Sequence, residues 1–283
     1  MSETVSHERT TCEVCRQSGT TVLTKYTRSP WPVVSCNHCG FVFLGTVPDY
    51  ADLSVTYAWE RQHAEEKERR RTTNKLARFD AFTRFRLKLG KISDKARHRR
   101  MGAPGGRVLE IGCGGSTRIP EGSTPYGIEI SQGLSEQARP IFEARGGAVY
   151  HEPATTGIER FEENFFDSIL MRSYLEHEAQ PRLILERTFT RLKPGGTALL
   201  RLPNYNSVNR FIMGSAWCGF RFPDHVNYFT PSSLKALAMA IGYEFRWKNW
   251  YSLFDDNLIV ELRKPLHVAS AVGATTGLPP VHA

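Results

Sequence analysis

The chain has 283 residues, of which 40% are hydrophobic and 23% are charged. These fractions lie near the averages of globular domains, which excludes a disordered chain, a collagen-like repeat and a coiled-coil rod, and the length predicts two domains or one large domain with a small appendage. No run of about 18 uncharged apolar residues occurs, and Glu3, Glu8 and Arg9 stand where a signal peptide would be apolar. We therefore expect a cytoplasmic protein without a membrane partner.

Four of the six cysteines form two pairs near the N-terminus. Cys12-x2-Cys15 and Cys36-x2-Cys39 are separated by 20 residues, a spacing at which two knuckles supply four thiolates to a tetrahedral zinc. A segment of about 45 residues has too small an interior to fold unaided, so a metal would supply the missing stability. We predict a zinc ribbon over residues 1–50, with Cys39 preferred to His38 as a ligand. Disulfides or an unoccupied cluster are the alternative.

The positive charge of the chain is concentrated in the next segment. The formal net charge is +8, and Tyr57 to Arg100 contain 15 Lys and Arg against 6 Asp and Glu. Apolar residues recur there at three- and four-residue steps, which predicts a basic helical connector over residues 51–100; they are Leu76, Phe79, Phe82, Phe85 and Leu89. This helix either packs its apolar stripe on the next domain or offers a surface to an anionic partner.

Short apolar runs alternate with helical stretches in the remainder of the chain. Five runs are predicted strands, at 107–111, 126–130, 148–150, 166–171 and 197–202, and a helix is predicted at 182–192. Strands separated by helices indicate a parallel sheet covered on both faces. We therefore predict an α/β, Rossmann-like domain over residues 101–265, with a doubly wound, mostly parallel sheet.

The end of this domain has a different pattern. Glu244–Trp250 and Asn257–Arg263 are predicted strands whose connection is too short for a crossover, so we expect an antiparallel terminal hairpin at the edge of the sheet. Residues 266–283 are rich in Ala, Gly, Thr and Pro and are predicted to be disordered.

The first predicted strand of the domain runs directly into glycines. Gly112 and Gly114 allow the backbone to turn sharply and to approach a ligand, and Glu129 ends the second strand, where a carboxylate can accept both hydroxyls of a ribose. Together they predict an adenosine-bearing cofactor at the carboxyl edge of the sheet. A dinucleotide fold would place a third glycine three residues after Gly114, where this chain has Thr117.

Three further segments follow in an order that is typical of one family. Phe166–Leu170 is like its fourth strand, Leu175-Glu176-His177 with Pro181 is like its Leu-Glu-His segment, and 193–196 is like its Lys-Pro-Gly-Gly turn. Over roughly residues 105–263 the chain thus resembles the class I S-adenosylmethionine-dependent methyltransferases. It is similar to bacterial small-molecule members with an N-terminal zinc-binding segment, many associated with sugar or surface-polysaccharide pathways. The resemblance implies S-adenosylmethionine as the cofactor, held by Glu110, Gly112, Cys113, Gly114, Glu129, Ile130, Ser173 and Tyr174.

The chain departs from the family pattern at two places. Residues 116–125 contain two prolines and Gly122, so we expect the helix after the glycine loop to be short or replaced by a loop. Some quinone O-methyltransferases bind a divalent metal through Glu-x-x-Glu-His. The corresponding run here lacks the first glutamate and has Arg172 near that ligand position, so we predict no magnesium.

Methyl transfer is an in-line displacement, so the protein mainly has to hold acceptor and methyl at about 3 Å, and a hydroxyl acceptor must lose its proton. His177 follows the fourth strand, and residues 217–229 lie where this fold commonly places its acceptor loop. Aromatic walls with a few polar groups suit a polar, ring-shaped acceptor. We predict His225 as the general base, with His177 and Tyr228 as further catalytic candidates. A structural role is the alternative for each histidine.

The sequence therefore predicts a methyltransferase that acts on a small polar acceptor, a sugar or sugar nucleotide hydroxyl or carbon, with the basic helix facing a phosphate-bearing substrate. The alternative is an rRNA or tRNA methyltransferase that binds RNA through the zinc ribbon and the basic helix. The near-neutral charge outside that helix disfavours RNA, and 202–205 is only a loose match to the Asn-Pro-Pro-aromatic signature of base-methylating enzymes. A third possibility is a binding protein without turnover.

Overall fold

A computed structural model of the chain describes residues 6–48, 106–248 and 256–266. The predicted basic helix, with its apolar stripe, lies outside the described residues, as does the predicted disordered tail beyond Leu266. Among the helices that are described, none has both the length and the apolar character needed to cross a bilayer.

The N-terminal unit consists of short antiparallel strands. They are β1 (Ser6–Glu8), β2 (Thr20–Val22), β3 (Val33–Cys36), β4 (Val42–Leu44) and β5 (Thr46–Pro48). Strands β1 and β5 form a two-stranded pair, and β2, β3 and β4 form successive antiparallel pairs in a second sheet. Strand β4 directly follows the second cysteine pair.

A seven-stranded mixed sheet forms the centre of the second unit. Its strands are β6 (Arg107–Ile111), β7 (Thr124–Glu129), β8 (Ala148–His151), β9 (Phe166–Arg172), β10 (Leu192–Pro203), β12 (Glu244–Trp247) and β13 (Asn257–Arg263). The order across the sheet is β12-β13-β10-β9-β6-β7-β8. The five strands from β10 to β8 are parallel, whereas β13 pairs antiparallel with both β10 and β12. The mainly parallel α/β fold and its antiparallel edge thus agree with the sequence prediction.

Five α-helices and one short strand follow, besides two one-turn 3-10 helices at Ile158–Arg160 and Gly214–Ala216. They are α1 (Gln132–Glu143), α2 (Ala154–Gly157), α3 (Pro181–Arg191), α4 (Val208–Met213), β11 (Asn227–Tyr228) and α5 (Pro231–Ile241). Local signals fix the ends of α5: Thr230 and Ser233 form a capping box, and Gly242 ends the helix at φ +111°. No helix is present within residues 112–123, as expected from the prolines there.

The Lys-Pro-Gly-Gly segment differs from the expected turn. It lies inside β10 as an irregularity, because the register against β9 shifts between Leu192 and Thr197. Gly195 has φ +78°, its N–H donates to the Lys264 carbonyl at 2.9 Å, and the Lys264 N–H donates to Gly196 at 2.9 Å. The glycines therefore keep the segment hydrogen-bonded to the chain that follows β13, which extends the strand through the predicted turn.

The two faces of the seven-stranded sheet are covered differently. Leu170, Ala138 and Phe142 belong to a core under α1. On the opposite face, Leu200 packs with α3, α5 and the N-terminal unit, and the Phe41 ring lies 4.8 Å from that of Phe229. Since both units contribute to one apolar cluster, the N-terminal unit is packed directly against the second unit.

Candidate functional site

A cavity of about 430 Å³ opens at the carboxyl edge of the parallel strands. This edge is where ligands bind in open α/β sheets. Seven of the eight predicted cofactor-binding residues line the cavity, namely Gly112, Cys113, Gly114, Glu129, Ile130, Ser173 and Tyr174. Of the predicted catalytic residues, His177 lines it, and His225 and Tyr228 lie outside its lining.

The glycine loop after β6 turns through conformations that favour glycine. Gly112 has φ +67° and Gly114 has φ +65°. The Gly112 N–H donates to the Ile128 carbonyl at 2.8 Å, and a Cβ on Gly112 would lie 3.2 Å from Cδ2 of Tyr174. Residue 112 must therefore be glycine for two reasons: its φ is positive, and a side chain would contact Tyr174. Without a side chain here, the backbone can come close to a ligand in the cavity.

Glu129 is fixed at the end of β7 by backbone donors. Its side chain is buried, Oε2 accepts the Gly114 N–H at 2.8 Å and Oε1 accepts the Ser131 N–H at 2.9 Å. A carboxylate oxygen can accept more than one hydrogen bond, so both oxygens can still accept from a ligand. The contact with Gly114 also joins the carboxylate to the glycine loop.

Glu110 lies behind the loop and not in the cavity lining. It is buried, Oε2 accepts the Arg118 N–H at 3.2 Å, and Oε1 lies 3.8 Å from Arg118 Nη1. Burial raises the pKa of the Glu110 carboxyl. In this arrangement the side chain supports the glycine-rich loop that faces the cavity.

Two further polar side chains lie beside His177, behind the cavity lining. The ligand atoms of Glu176, His177 and His225 all lie within 4.8 Å of one another, a spacing that suits a shared proton or a bridging cation. His177 Nδ1 is 2.8 Å from the Asp224 carbonyl, and His225 Nδ1 is 2.8 Å from the Gly219 carbonyl. Because a carbonyl only accepts, each Nδ1 carries the hydrogen and each Nε2 is the acceptor nitrogen.

Burial controls the charge of this cluster. Burial raises the pKa of Glu176 to about 8 and lowers the pKa of His177 to about 4, with the nearby Arg221 charge adding to the second effect. His177 Nε2 is buried without a hydrogen-bond partner among the described residues, and it lies 4.0 Å from Glu176 Oε1. The imidazole of His177 is therefore neutral at pH 7, and its acceptor nitrogen, Nε2, is buried beside Glu176 Oε1.

Tyr228 lies away from the cavity lining, on β11. It is almost fully buried, pairs with Val42 of β4, and its ring packs 5.0 Å from that of Phe220. Burial raises the pKa of Tyr228 well above its usual value. The side chain thus forms part of an aromatic cluster between the two units.

Strand β11 joins the predicted acceptor loop to the N-terminal unit. Asn227 and Tyr228 pair antiparallel with Phe43 and Val42 of β4, which makes β11 the fourth strand of that sheet. Arg9 Nη1 donates hydrogen bonds to the Val226 carbonyl at 3.1 Å and to Asn227 Oδ1 at 3.0 Å. One end of the acceptor loop is therefore held by the cysteine-containing unit.

Three guanidinium groups and several carboxylates also line the cavity. The guanidinium groups belong to Arg118, Arg172 and Arg201. Sequence reasoning did not identify Arg201 as a site residue, because a single arginine inside an apolar strand resembles an ordinary solvated position. The one sequence feature that could have identified Arg201 is its position near the end of the strand predicted at 197–202, in a sheet predicted to be covered on both faces.

The four N-terminal thiols form one compact group. Cys12 Sγ lies 3.5 Å from Cys39 Sγ, Cys15 Sγ lies 3.5 Å from Cys36 Sγ, and all four atoms lie within 4.8 Å of one another. Zinc–sulfur bonds of about 2.3 Å in a tetrahedron place the sulfurs about 3.8 Å apart. The hydrogen bond from Cys39 lowers the pKa of Cys12 to about 5. The donor set therefore fits a zinc ion, as the spacing predicts.

The chain is similar in sequence to curated methyltransferases. The curated relatives include the "Ubiquinone biosynthesis O-methyltransferase" of Paraburkholderia xenovorans, 29% identical over 48% of this chain and 63% of the relative. The protein of the same name from Dinoroseobacter shibae is 30% identical over 49% of this chain and 60% of the relative. The chain thus spans less than two thirds of the length of these relatives. Both relatives are named as O-methyltransferases of ubiquinone biosynthesis.

The chain is also similar to solved structures. An S-adenosylmethionine-dependent methyltransferase from Mesorhizobium loti is 14% identical, covers 61% of this chain and 98% of its own, and gives a TM-score of 0.47. The family model described as "Methyltransferase domain" matches residues 76–246, more than half of the chain. The chain therefore belongs to this family and carries an S-adenosylmethionine-dependent methyltransferase domain.

Proposed function

We propose that the protein transfers the methyl group of S-adenosylmethionine to a hydroxyl group of a small polar molecule. The observation that carries this proposal is one cavity lined by the glycine turn, Glu129 and the neutral imidazole of His177. The names of the curated relatives, which are O-methyltransferases, support a hydroxyl acceptor. The predicted sugar acceptor is a narrower form of the same proposal, and the predicted RNA acceptor is its alternative.

The cofactor half of the cavity lies at β6 and β7. Glu129 accepts the ribose hydroxyls, and Gly112 and Gly114 leave room for the sugar and the sulfur-bearing chain beside them. Ile130 lies next to Glu129, and Ser173 and Tyr174 lie across the cavity. The bound cofactor supplies an electrophilic methyl group on a sulfonium sulfur.

His177 accepts the proton of the acceptor hydroxyl at Nε2. Its Nδ1–H is held by the Asp224 carbonyl at 2.8 Å, which directs the ring. The pKa of His177, lowered by burial to about 4, keeps the ring in its accepting form at neutral pH. Glu176 Oε1 lies 4.0 Å from His177 Nε2, and burial keeps this carboxyl protonated at neutral pH. His225 lies behind this pair, with its ring centroid 4.7 Å from that of His177.

The cysteine cluster has a structural role in this proposal. Four thiolates from Cys12, Cys15, Cys36 and Cys39 hold zinc, which stabilises the N-terminal unit. That unit in turn holds the acceptor loop through β4 and β11.

The proposal is tested by a methyl-transfer assay with labelled S-adenosylmethionine. Catechols, nucleotide-linked sugars and small RNAs are offered as acceptors, and S-adenosylhomocysteine production is measured. We expect transfer to at least one hydroxylated small molecule. Binding of S-adenosylhomocysteine without transfer to any acceptor would contradict turnover, and transfer to RNA alone would favour the alternative acceptor.

The base is tested with two matched variants, His177→Asn and His225→Asn. We expect His177→Asn to reduce the transfer rate about 10²-fold or more, with the affinity for S-adenosylhomocysteine unchanged. The exposed His7→Asn serves as the control. If His225→Asn shows the larger rate loss while His177→Asn stays near wild type, the base is His225, as the sequence predicts.

A further inference from the structure

We propose that Arg201, beside Arg172, binds an anionic group of the methyl acceptor, either a carboxylate or a phosphate ester. This inference rests on the proposed function and names the class of its substrate. Arg172 ends β9 and Arg201 lies near the end of β10, and both side chains line the cavity.

The two arginines are cross-strand neighbours on the same face of the sheet. Arg201 is the register partner of Arg172, just as Leu199 two residues earlier is the partner of Leu170. Like charges directly opposite each other on neighbouring strands destabilise a sheet. Such a pair at the wall of a cavity is favourable when a bound anion lies between or beside the two guanidinium groups.

The carboxylates of the cavity are already engaged elsewhere. Glu129 accepts two backbone N–H groups, Glu152 pairs with Arg160, and Asp224 pairs with Arg221 at 2.8 Å. Of the other cavity guanidinium groups, that of Arg118 lies by Glu110. Within residues 6–48, 106–248 and 256–266, the Arg201 side chain makes no hydrogen bond or ion pair. Its guanidinium therefore has its donors available for a ligand.

The position of Arg201 in the sheet assigns it to the acceptor. In the order β7-β6-β9-β10, Glu129 and Arg201 are three strand spacings apart, which is about 14 Å. If Glu129 holds the ribose of the cofactor, the glycine turn after β6 and Ser173 after β9 would hold the rest of it, and Arg201 on β10 would be left for the acceptor. His177 and Asp224 line the cavity with Arg201, and an acid group of the acceptor can reach it while a hydroxyl faces His177.

A guanidinium recognises both carboxylates and phosphates through paired N–H donors. The experiment therefore uses both chemistries as probes. The full-length protein is saturated with S-adenosylhomocysteine and titrated by calorimetry with inorganic phosphate and, separately, with benzoate. The wild type is compared with Arg201→Gln, with Arg201→Lys, and with the surface control Arg246→Gln, whose side chain is 54% exposed on β12.

We expect the wild type to bind at least one of the two anions, and the tighter one identifies the acid group. Loss of a charge-assisted hydrogen bond should weaken that binding about tenfold or more in Arg201→Gln. Arg201→Lys should retain part of it, and Arg246→Gln should match the wild type. The affinity for S-adenosylhomocysteine should agree within about twofold in all four proteins.

Three results would overturn the inference. They are no saturable anion binding by the loaded wild type, equal binding by Arg201→Gln, and weaker binding of S-adenosylhomocysteine by Arg201→Gln, which would assign the arginine to the cofactor's own carboxylate. Failure of the wild type to bind S-adenosylhomocysteine at all is a different outcome, because it would contradict the proposed function and the inference would fall with it.

Discussion

Gly112 shows how a single position can depend on glycine. With φ +67° and Tyr174 Cδ2 at 3.2 Å from an added Cβ, Gly112→Ala should suffer both strain and a close contact. We expect the free energy of unfolding to fall by about 1–3 kcal/mol and the affinity for S-adenosylhomocysteine to fall with it. Denaturant unfolding and calorimetry measure the two effects.

The matched control is Gly133→Ala on α1. Gly133 is exposed and an added Cβ would meet no atom within 4 Å, so we expect a gain of up to about 1 kcal/mol from helix propensity. Equal effects of the two substitutions would contradict a special requirement at residue 112.

The buried carboxyl of Glu176 should make the free energy of unfolding depend on pH. Its pKa in the folded protein is about 8, above the ordinary value of 4.5, because the carboxyl is buried. The folded state therefore holds a proton that the unfolded state has released, and stability falls as pH rises through this range. From pH 6 to pH 8 we expect this group to cost the wild type about 2 kcal/mol.

Glu176→Gln should remove that loss, since glutamine does not ionise. Denaturant unfolding at pH 6 and pH 8, in buffer with EDTA, compares the wild type with Glu176→Gln and with the control Glu136→Gln, whose side chain is exposed on α1. An alkaline loss that persists unchanged in Glu176→Gln would show that the carboxyl is already ionised at pH 6.

Residues of the cofactor half could be predicted from the sequence, whereas residues of the acceptor half could not. Gly112 directly follows one predicted strand and Glu129 lies at the end of the next, so chain order alone places them at one edge of the sheet. The bond between His177 and the Asp224 carbonyl joins residues 47 apart in the sequence. The cross-strand position of Arg201 depends on register, which periodicity does not reveal.

At the scale of elements, the pairing of β4 with β11 links the cysteine cluster to the acceptor loop. Cys36 ends β3, and β3 pairs with β4. If the cluster holds zinc, loss of the metal should loosen β3 and β4 and weaken the pairing of Tyr228 with Val42. We expect hydrogen exchange at Tyr228 to accelerate at least about tenfold in Cys36→Ser or after chelation, whereas the Val226 and Asn227 amides, which donate to the Glu176 carbonyl, should stay protected.

The control for this prediction is Cys218→Ser, because Cys218 lies outside the cluster. It should keep one zinc per chain by metal analysis and normal exchange at Tyr228. Unchanged exchange in metal-free Cys36→Ser would mean that packing alone holds β11.

Several elements follow from local sequence, and others depend on the fold. The bounds of β6 and β13 agree with the predicted runs, and α3 begins at its proline, one residue before the predicted start. Strand β11 has two residues and no periodicity to detect. Residues 193–196 were expected to form a turn. Instead, backbone hydrogen bonds between Lys264 and the two glycines keep them within β10.

At the scale of the whole molecule, the two described units share one apolar cluster. Phe41 and Phe43 pack with Leu175 and Phe229 of the other unit, and Arg182 donates to the Glu13 and Val14 carbonyls at 2.8 and 2.6 Å. Deletion of residues 1–48 would expose this surface. We expect the truncated protein to aggregate or to lose its cooperative thermal transition.

Deletion of residues 267–283, which the sequence predicts to be disordered, is the control and should leave the thermal midpoint within about 2 °C of the wild type. A shortened protein that lacks residues 1–48 and still melts cooperatively at the wild-type temperature would contradict a shared core.

The edge position of β11 has a consequence for how such enzymes diversify. In our proposal, the donor-binding half of the cavity is built by loops after β6 and β7, while the opposite wall depends on the loop that contains Asp224, which β11 joins to β4. We therefore expect mutations in this wall to change acceptor choice without disturbing donor binding. A chimera that borrows specificity from a homologue must exchange residues 1–48 and 217–229 together, since either segment alone would leave β4 and β11 mismatched.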